Sequence, residues 1–113
     1  MSVETAAQRI IAVRRLAKEL RRLFPEAQSS LALELVFAVA EQQALGKPPT
    51  VTEMVYTGIA SERTIRRAIN MLRETGVLVE VRSQTDRRRI CLEIEAARFS
   101  AMVLIINEIL GEN

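Results

Sequence analysis

The sequence predicts a mainly α-helical chain with one small β-hairpin, an α+β fold, and three observations predict it. Apolar residues recur at steps of three and four over most of the chain, the period of an amphipathic helix. Two short runs, Val77 to Arg82 and Arg88 to Ile94, are instead rich in β-branched residues or alternate apolar with polar. Directly before them, a short helical segment and a longer one are separated by a turn that contains glycine.

The chain has 113 residues, 49% of them hydrophobic, enough for one core but not two. A single domain over residues 1–113 is expected: an N-terminal helix at 1–24, a central region at 29–94 and a C-terminal helix at 95–113.

In the first helix Val3, Ala6, Ala7, Ile10, Val13, Ala17, Leu20 and Phe24 form the apolar stripe, and Pro25 stops it. Its polar face is basic, with Arg9, Arg14, Arg15, Lys18, Arg21 and Arg22 against Glu4 and Glu19. That pattern reads first as an ordinary solvated face, with contact to a phosphate or membrane surface as the less favoured reading. A serine cap signal at Ser29 and Ser30 then opens SLALELVFAVAEQQALG, apolar nearly all round, which reads as a buried central helix ended by Gly46.

Thr50 and Glu53 have the spacing of a capping box, opening a short helix over about Val51 to Thr57 that Gly58 ends. The turn Gly58-Ile59-Ala60-Ser61 leads to a serine N-cap and a helix from Glu62 to Thr75, closed by Gly76. Here Ile65, Ala68, Ile69 and Leu72 form the inward stripe. At 100° per residue from Ile65, Arg66 falls at about 100°, Asn70 at about 140°, Arg63 at about 160° and Arg67 at about 200°. The outward face is therefore three arginines and an asparagine.

Past Gly76 the two strands enclose Ser83-Gln84-Thr85-Asp86-Arg87, a polar, turn-prone stretch, so a hairpin with arginines at its tip is expected. A helix-turn-helix carrying such a hairpin is a winged helix. Asp86 would accept backbone N–H bonds in the turn or orient Arg87 or Arg88, the turn role being favoured. Cys91 alternates with Ile90, Leu92 and Ile94 and is expected to be partly exposed beside Arg89 and Glu93. A redox role is conceivable there, but a small strand residue is the simpler reading. Tyr56, Phe24, Phe37 and Phe99 read as core or interface residues.

The last helix carries Ala96, Phe99, Val103, Ile106 and Leu110 on one stripe, with Met102, Ile105 and Ile109 beside it. This exceeds what a small domain needs to bury, so a homodimer is expected through Ile10, Phe99, Met102, Val103, Ile106, Ile109 and Leu110. The other solution is that the first helix covers the stripe within one chain.

Inventory removes several function classes. With one Cys there is no internal disulfide, and with no His the commonest metal ligand and the usual neutral-pH proton shuttle are missing. No cofactor is expected. No P-loop, nucleophile elbow or dinucleotide fingerprint occurs, and an enzyme is not expected. The start MSVETAAQRI lacks the features of a signal peptide, and the longest apolar stretch, Leu31 to Ala40, is about half the length needed to span a bilayer. A cytoplasmic protein without a membrane partner is expected.

Net charge is +2, but it is unevenly distributed. Of 16 basic residues 14 are Arg, and Ser61 to Arg89 holds eight Arg against four acids, a local +4 that leaves −2 for the rest. Arginine can bind guanine with two hydrogen bonds and asparagine can do the same for adenine, in a major groove wide enough for a helix. An arginine face on the second helix beside a basic hairpin therefore points to double-stranded DNA.

From about Leu31 to Ile94 the chain resembles the MarR-like winged helix-turn-helix transcriptional regulators. The resemblance rests on TVTEMVYTGIASERTIRRAINMLRETGVL and on the wing, Asp86-Arg87-Arg88-Arg89 followed by the alternating strand Ile90 to Ile94. It implies a helix in the major groove, with contacts from Ser61, Arg63, Thr64, Arg66, Arg67 and Asn70. It implies wing contacts in the minor groove from Arg87, Arg88 and Arg89, and terminal dimerisation helices. A homodimer would present two such helices about 34 Å apart to a near-palindromic site. No small-molecule effector is specified. Two other functions stay open, a winged-helix protein-interaction module and a plasmid or phage replication or partition protein.

Overall fold

The computed structural model describes residues 2–111. It is mainly helical with one antiparallel hairpin, in the order α1 (Val3–Leu23), α2 (Ser30–Ala44), α3 (Val51–Val55), α4 (Glu62–Glu74), β1 (Leu78–Arg82), β2 (Ile90–Ile94) and α5 (Ala96–Leu110). This is the winged-helix arrangement. The described residues form two compact units, one spanning Glu26–Ala96 and one made by α1 together with α5 from Ala97 onward.

Local chemistry sets the helix starts. Side-chain oxygens of Ser2, Ser29, Thr50 and Ser61 accept from the backbone N–H groups of Thr5, Ala32, Glu53 and Thr64, satisfying amides that the first helical turn leaves unpaired. At α3 the capping box is complete, because the Glu53 carboxylate also accepts from Thr50 N at 2.9 Å. Gly58 ends the turn after α3 and Gly76 the turn after α4, with φ of 72° and 81°, a left-handed backbone that other residues adopt at a cost.

The core of the Glu26–Ala96 unit is aliphatic. Leu35, Val36 and Val39 of α2 are fully buried with Ile65, Ile69 and Leu72 of α4, Met54 of α3, and Val77, Leu78, Leu92 and Ile94 of the hairpin. At about 25 cal/mol per Å² of apolar surface, each of these larger side chains contributes about 1.5–3 kcal/mol of transfer free energy.

The hairpin register pairs Leu78 with Ile94, Glu80 with Leu92 and Val81 with Cys91. The amides of Leu92 and Ile94 bond away from β1. Leu92 N donates to Pro49 O at 2.7 Å and Ile94 N to Gln43 Oε1 at 2.7 Å, so the connector and the end of α2 cover what would be a bare strand edge.

Two strand expectations are corrected. Cys91 is buried, not partly exposed, because β2 is covered on both faces at this point. Ile90, placed by alternation on the inward side, is exposed, since the hairpin has run past the core by that residue.

In the terminal unit, Leu20, Phe24 and Met102 are buried. Arg98 Nη1 donates to Leu23 O at 3.5 Å, and Arg15 faces Glu108 at 3.7 Å, linking the end of one helix to the other. The inward face of α1 is rotated from the expected stripe. Of that stripe Leu20 and Phe24 are buried and Ala6 is half-buried, with Leu16 and Leu23 half-buried beside Leu20, whereas Val3, Ala7, Ile10, Val13 and Ala17 are exposed. Among the described residues, no helix is long and apolar enough to cross a membrane.

Candidate nucleic-acid interface

The helix-turn-helix and the hairpin supply the chemistry. In α4 the inward stripe is Ile65, Ile69 and Leu72, and burying it leaves Arg63, Arg66, Arg67 and Asn70 exposed, as the 100° wheel requires. Arg66 is held by its own helix, Nε donating to Glu62 Oε2 at 2.8 Å, one turn back. Arg63, Arg67 and Asn70 have no side-chain hydrogen-bond or ion-pair partner among the described residues. Their donors are available to a ligand.

Ser61 and Thr64 stand at the start of α4 with their hydroxyls joined at 2.8 Å. Both are exposed at a helix N-terminus, where backbone amides and the helix dipole favour an anion such as a phosphate.

The wing tip is a built turn. Ser83 Oγ accepts from the backbone N–H groups of Thr85 at 3.3 Å and Asp86 at 3.2 Å, and Arg89 N donates to Asp86 O at 2.9 Å. Asp86 accepts from the turn backbone and lies beside one wing arginine. Its Oδ1 accepts from Arg88 N at 3.0 Å and lies 3.5 Å from Arg88 Nε. Arg82 Nη1 bonds to Arg87 O at 2.7 Å, bracing the loop from the end of β1. The Arg87 side chain has no partner among the described residues, and that of Arg88 is 94% exposed.

The third wing arginine turns the other way. Arg89 donates from Nη2 to Glu53 Oε1, the carboxylate oxygen that also caps α3. This bond and the Thr50 amide hold the Glu53 carboxyl below the usual carboxylate range, and Glu53 in turn raises Arg89. In the sequence Glu53 reads as a capping residue and Arg89 as a wing residue, and nothing there marks that these two positions, 36 apart, meet. Beside the pair lies a cleft of about 740 Å³, bounded by Gln42, Lys47, Arg82, Glu93 and the buried Cys91.

Tyr56, expected in the core or an interface, is 82% exposed at the C-terminal cap of α3. Of the residues expected at a dimer interface, Ile10, Val103 and Leu110 are exposed, Phe99, Ile106 and Ile109 are half-buried, and Met102 is buried within the single chain. Among the described residues no group of three or more Cys, Asp or Glu side chains could hold a metal ion.

The fold and these surfaces define a winged helix-turn-helix. Solved structures to which it is similar are winged-helix regulators of the MarR family. They include S. aureus MepR bound to ethidium bromide, with a TM-score of 0.61 at 10% identity over 98% of this chain and 79% of that one. The transcriptional regulator BldR from Sulfolobus solfataricus gives 0.52 at 18% identity, over 98% of this chain and 80% of that one. A variant of Lactococcus lactis ZitR in apo form gives 0.54 at 15% identity, over 96% and 73%. At such identities the likeness is one of fold. No protein-family profile and no curated protein matches the sequence.

Proposed function

We propose that this chain is a sequence-specific, double-stranded-DNA-binding transcriptional regulator of the cytoplasm, reading the major groove with α4 and the adjacent minor groove with its wing. The observation that carries the reading is the outward face of α4, where Arg63, Arg67 and Asn70 point away from the core with no partner of their own. Leaving these groups unpaired has no packing benefit, and they are the types that bond guanine and adenine edges with two hydrogen bonds. Arg66 contributes beside them, and Ser61 and Thr64 would receive a phosphate at the helix start. Arg87 and Arg88 of the wing tip supply further phosphate or minor-groove contacts. The likeness in fold to known transcriptional regulators supports the same reading.

The protein acts as a homodimer on a near-palindromic site, and the support is the apolar surface left open on the terminal helices at Ile10, Val103 and Leu110. In this organisation residues 29–94 read the DNA and the flanking helices join two copies. Phe99, Ile106 and Ile109 would lose their remaining exposure in the dimer, around a Met102 already buried.

Fluorescence anisotropy of a labelled duplex at about 50 and about 200 mM salt tests the proposal, with an Arg63→Ala/Arg67→Ala/Arg88→Ala variant alongside. Affinity that drops steeply with salt and drops again in the variant supports phosphate neutralisation by this face. Absence of binding at the lower salt overturns the reading in favour of a protein-interaction module.

A further inference from the structure

We propose that Arg89 is a positioning residue: its ion pair with Glu53 fixes the root of the wing to the first helix of the motif, and so sets the angle at which the wing tip meets DNA. The proposal rests on the DNA-binding function above, and it removes Arg89 from the set of wing arginines that touch DNA.

Three observations lead to it. The first is the sharing of one atom. Glu53 Oε1 accepts from Thr50 N at 2.9 Å, where it starts α3, and from Arg89 Nη2, where the wing turn returns to β2. Any movement of the wing root relative to α3 must break a bond to an oxygen already fixed by a helix cap. The second is an independent link to the same place, since Leu92 N donates to Pro49 O at 2.7 Å, one residue before Thr50. Two bonds, three residues apart on the hairpin, therefore tie β2 to the start of the motif.

The third is that the wing turn is internally braced and bonded to Arg89 itself. Ser83 N bonds to Arg89 O at 2.9 Å, Arg89 N to Asp86 O at 2.9 Å and Arg82 Nη1 to Arg87 O at 2.7 Å. Arg89 is itself bonded into this turn at both its N–H and its C=O, so a shift of Arg89 is passed directly to the segment that carries Arg87 and Arg88. As an exposed pair, Glu53–Arg89 adds little to global stability, so its effect falls on geometry.

The competing role gives the opposite sign, which makes the test decisive. If Arg89 leaves Glu53 to bind a phosphate, Glu53 is only a competitor, and Glu53→Gln releases Arg89 and tightens DNA binding. If the pair is a positioning device, Glu53→Gln weakens binding even though it removes a negative charge near DNA. Glutamine keeps an acceptor for Thr50 N, so the helix cap survives.

Duplex affinity is measured across a salt series for the wild type, Glu53→Gln, Arg89→Gln and the double variant. The expected result is a several-fold loss in each single variant and no greater loss in the double variant. Tighter binding by Glu53→Gln, or a further loss when Arg89→Gln is added to Glu53→Gln, overturns the proposal. Amide exchange of Ser83 and Arg89 in the DNA-free protein separates this from the function on which it rests. Faster exchange in both single variants is expected even if the wild type binds no DNA, and unchanged exchange overturns the proposal in either case.

Discussion

Gln43, in the last turn of α2, pairs with the backbone of Ile94 as a neighbouring strand would: its Oε1 accepts from Ile94 N at 2.7 Å and its Nε2 donates to Ile94 O at 3.3 Å. One side chain thus satisfies both polar groups on the outer edge of β2 where the strand enters the core. Gln43→Leu keeps the volume but leaves a part-buried N–H and C=O without partners, which should cost about 1–3 kcal/mol. A urea titration should show a lower midpoint with an unchanged m-value.

Base reading and phosphate contact predict different losses. Arg67→Ala and Asn70→Ala should each cost about 1–3 kcal/mol on the preferred duplex and relax discrimination at one base position. Arg87→Ala or Arg88→Ala should weaken all duplexes nearly equally and lower the salt slope by about 1. Competition binding against single-base variants of the selected site measures both.

A dimer held by the terminal helices should respond to charge on its apolar surface. Ile10→Glu combined with Val103→Glu should shift sedimentation equilibrium toward monomer without loss of helical circular dichroism, since both side chains are exposed in the single chain. If the double variant sediments as the wild type does, the interface lies elsewhere.

The Glu53 carboxyl titrates below its ordinary value of 4.5, chiefly because of the Arg89 hydrogen bond and next because of the Thr50 amide. A carboxyl with a depressed folded pKa contributes stability that is present above the unfolded pKa and lost as pH falls through the folded one. The stability of the wild type should therefore decline from about pH 4.5 downward more than that of Glu53→Gln, whose side chain does not titrate. The gap will be small because both partners are close to half exposed. Unfolding midpoints across acid pH for the two proteins provide the measurement.

Gly58→Ala isolates a backbone effect. An added Cβ would meet nothing within 4 Å, so the cost comes only from holding alanine at a φ of +72°, about 1–2 kcal/mol. A thermal melt should show that loss, with the packing of α4 unchanged.

Local chemistry made much of this protein legible in its sequence. The serine and threonine caps, the glycine stops, the capping box of Thr50 and Glu53, the inward stripe of α4 and the hairpin turn at Asp86 each depend on residues within a few positions of one another. Their bonds follow from helix and turn geometry alone. The outward Arg63, Arg67 and Asn70 were legible for the same reason, because burying Ile65, Ile69 and Leu72 leaves their face no other direction.

Every relation between distant segments arises from tertiary packing. Alternation along β2 suggested that Cys91 was partly exposed, but burial on a strand depends on what covers each face, and here both are covered. Periodicity in α1 could not choose which of two overlapping apolar stripes turns inward, so Ile10 and Val13 are exposed while Leu16 and Leu20 are not. The meeting of Arg89 with Glu53 and of Gln43 with Ile94 joins positions 36 and 51 residues apart. The elements and the chemistry on their faces follow from residue order along each segment. The assignment of each arginine to solvent, to a neighbouring acid or to the wing tip required the chain to be folded, because ion pairs form by proximity in space and their partners carry no mark in the sequence.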